Sequence, residues 1–230
     1  MVAKPENEVQ AVAVLFSAGL DSAVLLADAA SKGPVVPIYV GFGLAWEAAE
    51  RRAIDRLLGH SPFAGRVPPS VTLQVDMRDV YPQTHWAIRG EAPAFDTPDE
   101  DVYLEGRNIV LLSKAAVFMA RARLRRVLIG PLAGNPFPDA TTEFFSAMGM
   151  ALTLGLGTAI EVEAPFVRLH KADVIRAGHA LGVPFELTLS CMQPNDGMHC
   201  GRCSKCRERR DAFREAGLED PTKYTNRPLR

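Results

Sequence analysis

Residues 11–16, Ala-Val-Ala-Val-Leu-Phe, pass directly into Ser17-Ala18-Gly19-Leu20-Asp21-Ser22 and from there into a helical stretch over 23–31. A short apolar run without alternation predicts a strand buried on both faces, the kind found in a parallel sheet covered by helices. The rest of the chain repeats that rhythm. Strands are expected over 35–40, 71–75, 127–129 and near 159–163, and helices over 46–58, 108–124, 141–154 and 172–181. The apolar face of 108–124 is Ile109, Leu112, Ala116, Met119 and Ala120, with Lys114 and Arg121 toward solvent. Alternating strands and helices imply an α/β fold with a doubly wound, mostly parallel sheet. Residues 11–185 are assigned to that domain, 1–10 to an N-terminal tail, and 186–230 to a small C-terminal unit with all four cysteines and a helix. Residues 78–105 break the rhythm with three prolines, two tyrosines, Trp86 and an acidic stretch at 96–101. A loop this long in a compact domain is a functional flap or a surface insertion; here it is read as a lid on the substrate side.

The junction at 17–22 carries the chemistry. Ligands of open α/β sheets bind beyond the carboxyl ends of the strands, and this loop opens a helix at such an end. Its backbone N–H groups and the helix dipole favour an anion. Ser17 and Ser22 can donate to phosphate oxygens, and Gly19 allows close backbone approach. Asp21 would repel a bare phosphate, but it suits a Mg²⁺ ion that bridges it to pyrophosphate. Neither Gly-x4-Gly-Lys-Ser/Thr nor Gly-x-Gly-x2-Gly occurs, which excludes an ordinary P-loop and a dinucleotide site. The plain alternative is a serine-capped helix start.

Cys191, Cys200, Cys203 and Cys206 are the whole cysteine complement. Two overlapping Cys-x2-Cys turns plus a fourth thiolate across a loop match a closed, four-thiolate structural Zn²⁺ site. Two disulfides, or four unrelated thiols, are the alternatives; a chain of this size has little need of staples. A net charge of −1 argues against nucleic-acid or membrane binding driven by charge. The basic stretch 121–126 reads as the solvated last turn of a helix. Residues 1–10 carry charges of both signs and no apolar run, so they read as neither signal peptide nor membrane span, and a cytoplasmic protein is expected.

The loop Phe16-Ser17-Ala18-Gly19-Leu20-Asp21-Ser22 resembles the Ser-Gly-Gly-x-Asp-Ser pyrophosphate loop of the ATP pyrophosphatase superfamily. Within it, three segments resemble the 7-cyano-7-deazaguanine synthases: Glu105-Gly106-Arg107-Asn108, Ala164-Pro165 through Lys171, and Leu181-Gly182-Val183-Pro184 leading to the cysteines. Together they span residues 11 to about 224. The resemblance implies an adenine nucleotide alpha hydrolase-like fold and an enzyme that uses ATP and ammonia to turn 7-carboxy-7-deazaguanine into its nitrile. It implies that residues 17–22 hold the β- and γ-phosphates with Mg²⁺, that Asp21 and Lys171 serve catalysis, and that Arg107 and Asn108 lie on the nucleotide side. Relatives commonly pair, so a homodimer is expected.

The substrate-side motifs differ from the family pattern. Ala18 replaces the first glycine of the loop, which is tolerable at negative φ or with a shifted loop. The segment Val40–Glu47 lacks the glutamine, basic residue and histidine of the family's Tyr-Gly-Gln-Arg/Lys-His-x2-Glu, and Phe42 and Trp46 stand there instead as substrate-side candidates. Asp139 is retained from an Asp-Cys-Arg segment whose arginine is absent, and it can accept from the N1–H and amine of a guanine-like ring. A different carboxylate, transfer to another amine including that of a partner protein, and a non-catalytic nucleotide-binding scaffold therefore stay open.

Overall fold

The computed structural model describes residues 10–226, so the tail assigned to 1–10 lies, except for Gln10, outside the described residues. Five strands form one parallel sheet in the order β3-β2-β1-β4-β5: β1 Val12–Leu15, β2 Val35–Gly41, β3 Val71–Gln74, β4 Arg126–Leu128 and β5 Glu161–Glu163. The unalternating apolar pattern of β1 has the expected cause. Val14 faces a core layer built with α1 (Leu20–Lys32), α2 (Glu47–Leu58) and α6 (Lys171–Ala180), while Ala13 and Leu15 face a second layer with α4 (Arg107–Ala122) and α5 (Thr142–Leu156). Helices on both faces make the sheet doubly wound, as expected. The chain moves outward from β1 through β2 to β3, then returns to lay β4 on the other side of β1. That reversal opens a crevice at the carboxyl ends of β1 and β4, where a doubly wound fold binds its ligand.

Local chemistry sets the boundaries. Helix α1 begins at Leu20, three residues earlier than the sequence indicates, because Asp21 and Ser22 are suited to a first turn. The buried stripe of α4 is Leu112, Ala115, Ala116 and Met119. Ile109, expected on that stripe, is 47% exposed instead. Of the basic run, Arg126 belongs to β4 and pairs with Glu163 on β5 at 2.6 Å.

The segment between β3 and α4 contains the short helix α3 (Trp86–Arg89) and a 3₁₀ turn at Asp99–Val102. Its middle is tied to α7 (Ser204–Ala216), the helix that follows the third cysteine. The Ser204 N–H donates to the Pro93 carbonyl at 3.3 Å, Arg207 Nη2 donates to the Thr97 carbonyl at 3.2 Å, and Arg210 lies over the Phe95 ring. All four cysteines are buried in the same apolar layer as α1 and α6. Among the described residues no helix is long and apolar enough to cross a membrane.

Candidate functional site

The loop 17–22 stands at the end of β1, held from within and from behind. Ser22 Oγ donates to the Gly19 carbonyl at 3.0 Å and accepts from the Ser17 N–H at 3.3 Å, while the Leu189 N–H donates to the Ala18 carbonyl at 2.8 Å. Ala18 does not take the negative φ that its methyl would prefer. It is left-handed at φ 57 and fully buried, a conformation costing a non-glycine residue on the order of 1–2 kcal/mol. The surrounding packing and the Leu189 contact hold it there.

Two adjoining cavities open on this loop, of about 300 and 390 Å³. Ser17, Gly19, Asp21 and Arg107 line both; Ser22, Asn108 and Asp139 line the first; Leu20, Trp46 and Lys171 line the second. Of the residues expected at the site, Ala18 and Phe42 are not at either cavity wall. Phe42 is buried, and its ring lies beneath the Arg107 guanidinium, 5.9 Å from ring centroid to Cζ. The loop that carries it is fixed by Glu47, whose Oε1 accepts the N–H groups of Phe42 and Gly43.

Lys171, the first residue of α6, reaches back over the loop. Its Nζ is 3.2 Å from Asp21 Oδ2 and is also bonded to Glu208 Oε1 of α7. Burial would lower the affinity of this amine for its proton, but the two carboxylates outweigh burial and raise it, so Lys171 is a fixed cation. Burial pushes the Asp21 carboxyl up against the opposing pull of Lys171. Asp21 Oδ1 is buried with no hydrogen-bond partner, so an acceptor is held ready at the 17–22 loop. Asp139 is arranged similarly. Its Oδ2 accepts the Asn108 N–H at 3.0 Å, Asn108 Nδ2 donates to its carbonyl at 2.9 Å, and Oδ1 is left unpaired. Burial raises its carboxyl too.

Several site residues escaped sequence reasoning. Trp86 stacks on Trp46 at 5.7 Å, and both rings line the second cavity. Glu50 is buried there, accepts from the Tyr39 hydroxyl at 2.8 Å, and has its carboxyl pushed up by burial. Its signal was legible: a carboxylate on the apolar face of α2 is costly without a purpose. Lys205 and Glu208 line the same cavity, yet nothing in the Cys-x2-Cys pattern indicates which way they point.

The four Sγ atoms lie within 4.8 Å of one another. Separations of 4.0 Å (Cys191–Cys203), 3.9 Å (Cys200–Cys206) and 3.5 Å (Cys203–Cys206) are far beyond a disulfide bond. They match the edges of a tetrahedron about a metal with bonds of about 2.3 Å, for which sulfurs stand roughly 3.8 Å apart. The N–H groups of Gln193 and Cys200 donate to Cys191 Sγ, and that of Arg202 to Cys200 Sγ, as thiolate ligands require. Gly201 makes the knuckle possible: it is at φ 75, and a Cβ there would meet the Asn226 carbonyl oxygen at 2.5 Å. His199 is not a candidate ligand, since its Nε2 accepts the Ser190 N–H at 3.0 Å. The cluster can hold a metal ion.

Comparison with known proteins agrees with this arrangement. The family profile described as queuosine biosynthesis protein QueC matches residues 10–217. The chain is 36% identical to the 7-cyano-7-deazaguanine synthase of Methanoculleus marisnigri, over 91% of this chain and 96% of that one. It is 34% identical to the protein of the same name from Anaeromyxobacter dehalogenans (97% and 99% covered), and 30% identical to that of Methanopyrus kandleri (92% and 97%).

Proposed function

The chain belongs to the queuosine biosynthesis protein QueC family, and from that premise we propose how its site works as a 7-cyano-7-deazaguanine synthase. It is an ATP-dependent carbon–nitrogen ligase. The carboxylate of 7-carboxy-7-deazaguanine attacks the α-phosphate of ATP, and pyrophosphate leaves. Ammonia displaces AMP from the acyl adenylate to give the amide. A second ATP adenylates the amide oxygen, which departs as AMP with loss of the remaining amide protons to leave the nitrile.

Each adenylation needs in-line placement and a sink for the charge on the departing pyrophosphate. The observation that carries the reading is the pairing of Lys171 with Asp21 at 3.2 Å, beside an unpaired Asp21 Oδ1, on an anion loop at a strand end. The Ser17 hydroxyl and those N–H groups of 17–22 that are not bonded within the loop receive the β- and γ-phosphates, and Lys171 supplies fixed positive charge. Asp21 would hold Mg²⁺ through Oδ1, and the ion would neutralise the leaving group. Arg107 borders both cavities and balances the negative charge of the carboxylate and α-phosphate. Asp139 Oδ1 accepts from the ring N–H edge of the deazaguanine, with Asn108 holding the other oxygen in place. The cysteine cluster binds Zn²⁺ as a closed structural site, since its geometry leaves no open position.

The enzyme works in the cytoplasm as a homodimer. Support for pairing comes from Ile109 and Val117 on α4 and Met150 and Leu154 on α5, large apolar side chains exposed on one side of the sheet. Incubation with ATP, Mg²⁺, ammonia and 7-carboxy-7-deazaguanine, followed by mass spectrometry, yields the nitrile, AMP and pyrophosphate. AMP release with no deazaguanine product points to a different carboxylate. Absence of pyrophosphate release leaves only a nucleotide-binding scaffold.

A further inference from the structure

The phosphate loop needs more positive charge than Lys171 provides. Lys171 is flanked by two carboxylates, Asp21 and Glu208, so these three groups sum to −1. Arg107 borders the same cavity and Mg²⁺ would arrive with the anion, but pyrophosphate is multiply charged and Lys171 is already shared between two carboxylates. The arrangement continues beyond Glu208. Lys205 Nζ lies 2.7 Å from Glu208 Oε2 and 3.7 Å from Asp99 Oδ1 on the 3₁₀ turn of the 78–105 segment. Asp21, Lys171, Glu208, Lys205 and Asp99 thus alternate in sign along the wall of one cavity that also contains Ser17 and Gly19.

Glu208 is the centre of that row: its Oε1 is bonded to Lys171 Nζ and its Oε2 lies 2.7 Å from Lys205 Nζ, so it holds the two ammonium groups one carboxylate apart. The geometry comes from the cysteine cluster. Cys203 caps α7 and Cys206 sits in its first turn, so Lys205 and Glu208, three residues apart, face the cavity from a helix start fixed by the knuckle. Lys205 makes no hydrogen bond to its other partner. Asp99 Oδ1, at 3.7 Å, is buried without a hydrogen-bond partner, and the four-carbon stem of a lysine can swing toward a phosphate.

We propose that Lys205 is a second cation for the pyrophosphate group, carried to the phosphate loop by the cysteine-knuckle helix, and that Glu208 is the positioning residue holding Lys171 and Lys205 as a pair. The proposal rests on the adenylating function above. Its step is binding alone: Lys205 gives up Asp99 and contacts the β/γ end of the nucleotide.

The test is calorimetric titration of the full-length, metal-loaded protein with magnesium pyrophosphate. Wild type binds. Lys205→Met binds about ten- to a hundredfold more weakly, the size of one charged hydrogen bond, and Lys205→Arg recovers much of the loss. Metal content stays at the wild-type value in Lys205→Met, and the urea midpoint falls only modestly, because its ion pairs are part-buried and Glu208 keeps Lys171. In turnover, Lys205→Met raises KM for ATP and leaves KM for the deazaguanine acid unchanged; Glu208→Gln does the same and Glu208→Asp is milder. If wild type binds pyrophosphate and Lys205→Met binds it within twofold, the proposal is overturned and the adenylating function stands. If wild type neither binds pyrophosphate nor releases it from ATP, both are overturned.

Discussion

Replacing Arg209 by methionine is expected to cost about 3–5 kcal/mol, although Arg209 touches neither cavity. The side chain is 1% exposed. Its Nε donates to Thr222 Oγ1 at 2.6 Å, Nη1 to Thr188 Oγ1 at 2.8 Å and Ser190 Oγ at 3.1 Å, and Nη2 to the Phe185 carbonyl at 2.8 Å. Burial lowers the guanidinium's hold on its proton, while nearby Asp220 works against that. Each bond from a charged donor is worth about 1.5–3 kcal/mol, so four would exceed 5. The sum overstates the loss, since methionine avoids burying a charge and keeps much of the volume. The hydroxyls of Thr188 and Ser190 can also turn to other acceptors. The Phe185 carbonyl cannot, and Asp220 loses its buried counter-charge at 3.7 Å. With a urea slope of about 2–3 kcal/mol per molar, the midpoint should fall by roughly 1–2 M. Urea denaturation of the metal-loaded protein reads this, with metal content measured on the folded fraction. Asp220→Asn is the companion variant. Asparagine keeps one oxygen for the N–H of Thr222, and the Tyr224 hydroxyl can turn to accept from its amide, but Arg209 is then buried among neutral partners only, at a cost of about 3 kcal/mol. A midpoint for Arg209→Met within about 0.3 M of wild type, judged against the same slope, would refute the idea that Arg209 ties α7 to the strap 185–190.

Cys203→Ser keeps a competent helix cap for α7 but removes one of four thiolates. Metal analysis should show the site empty, and the thermal midpoint should collapse, since a structural site of this type contributes on the order of 10 kcal/mol. Asp139→Asn should lower kcat/KM for the deazaguanine acid about 10- to 100-fold, the value of one charged hydrogen bond, with KM for ATP little changed in steady-state assays. Glu50→Gln addresses a buried carboxyl whose folded value lies above the ordinary 4.5. Above 4.5 the unfolded chain has already released a proton that the folded chain still holds, so wild-type stability falls as pH rises until the folded value is passed. The glutamine variant should lack that fall, and denaturation midpoints taken from pH 4 to 8 will show whether it does.

Much of this architecture could be read from spacing alone, for a physical reason. A strand buried on both faces must be apolar at every position, so 11–16 announced both β1 and the helices on either side of it. The strand-to-helix junction at 17–22 was legible because serine, glycine and aspartate suit the turn into a first helical turn, and the structure sets it at two cavities. The cysteines were legible because the tetrahedral bite of a thiolate set fixes their separation in the chain. What could not be read was direction. Ile109 obeys the helical period of α4 and still faces outward, since periodicity locates a face but not where the core beside it ends. Phe42 was placed at the substrate by its position in a motif, yet it supports Arg107 from below.

The deepest loss of information was at the C-terminus. Read as a metal site, 191–206 carries no sign of where its charged residues point. In the folded chain, α7 presents Glu208 to Lys171 and Lys205 to Glu208, so the cysteine cluster and the 17–22 loop meet through side chains rather than mere proximity. The sequence separation is 37 residues for Lys171–Glu208, and no local pattern spans such a gap. Only the docking of α6 against α7 brings the two together. A knuckle that merely stiffened the fold would tolerate a neutral residue at 208. One that sets the charge of the phosphate site would not, because Lys171 would then lean on Asp21 alone and compete with the magnesium ion for it. Loss of metal should consequently weaken nucleotide binding at ionic conditions where the sheet itself remains folded.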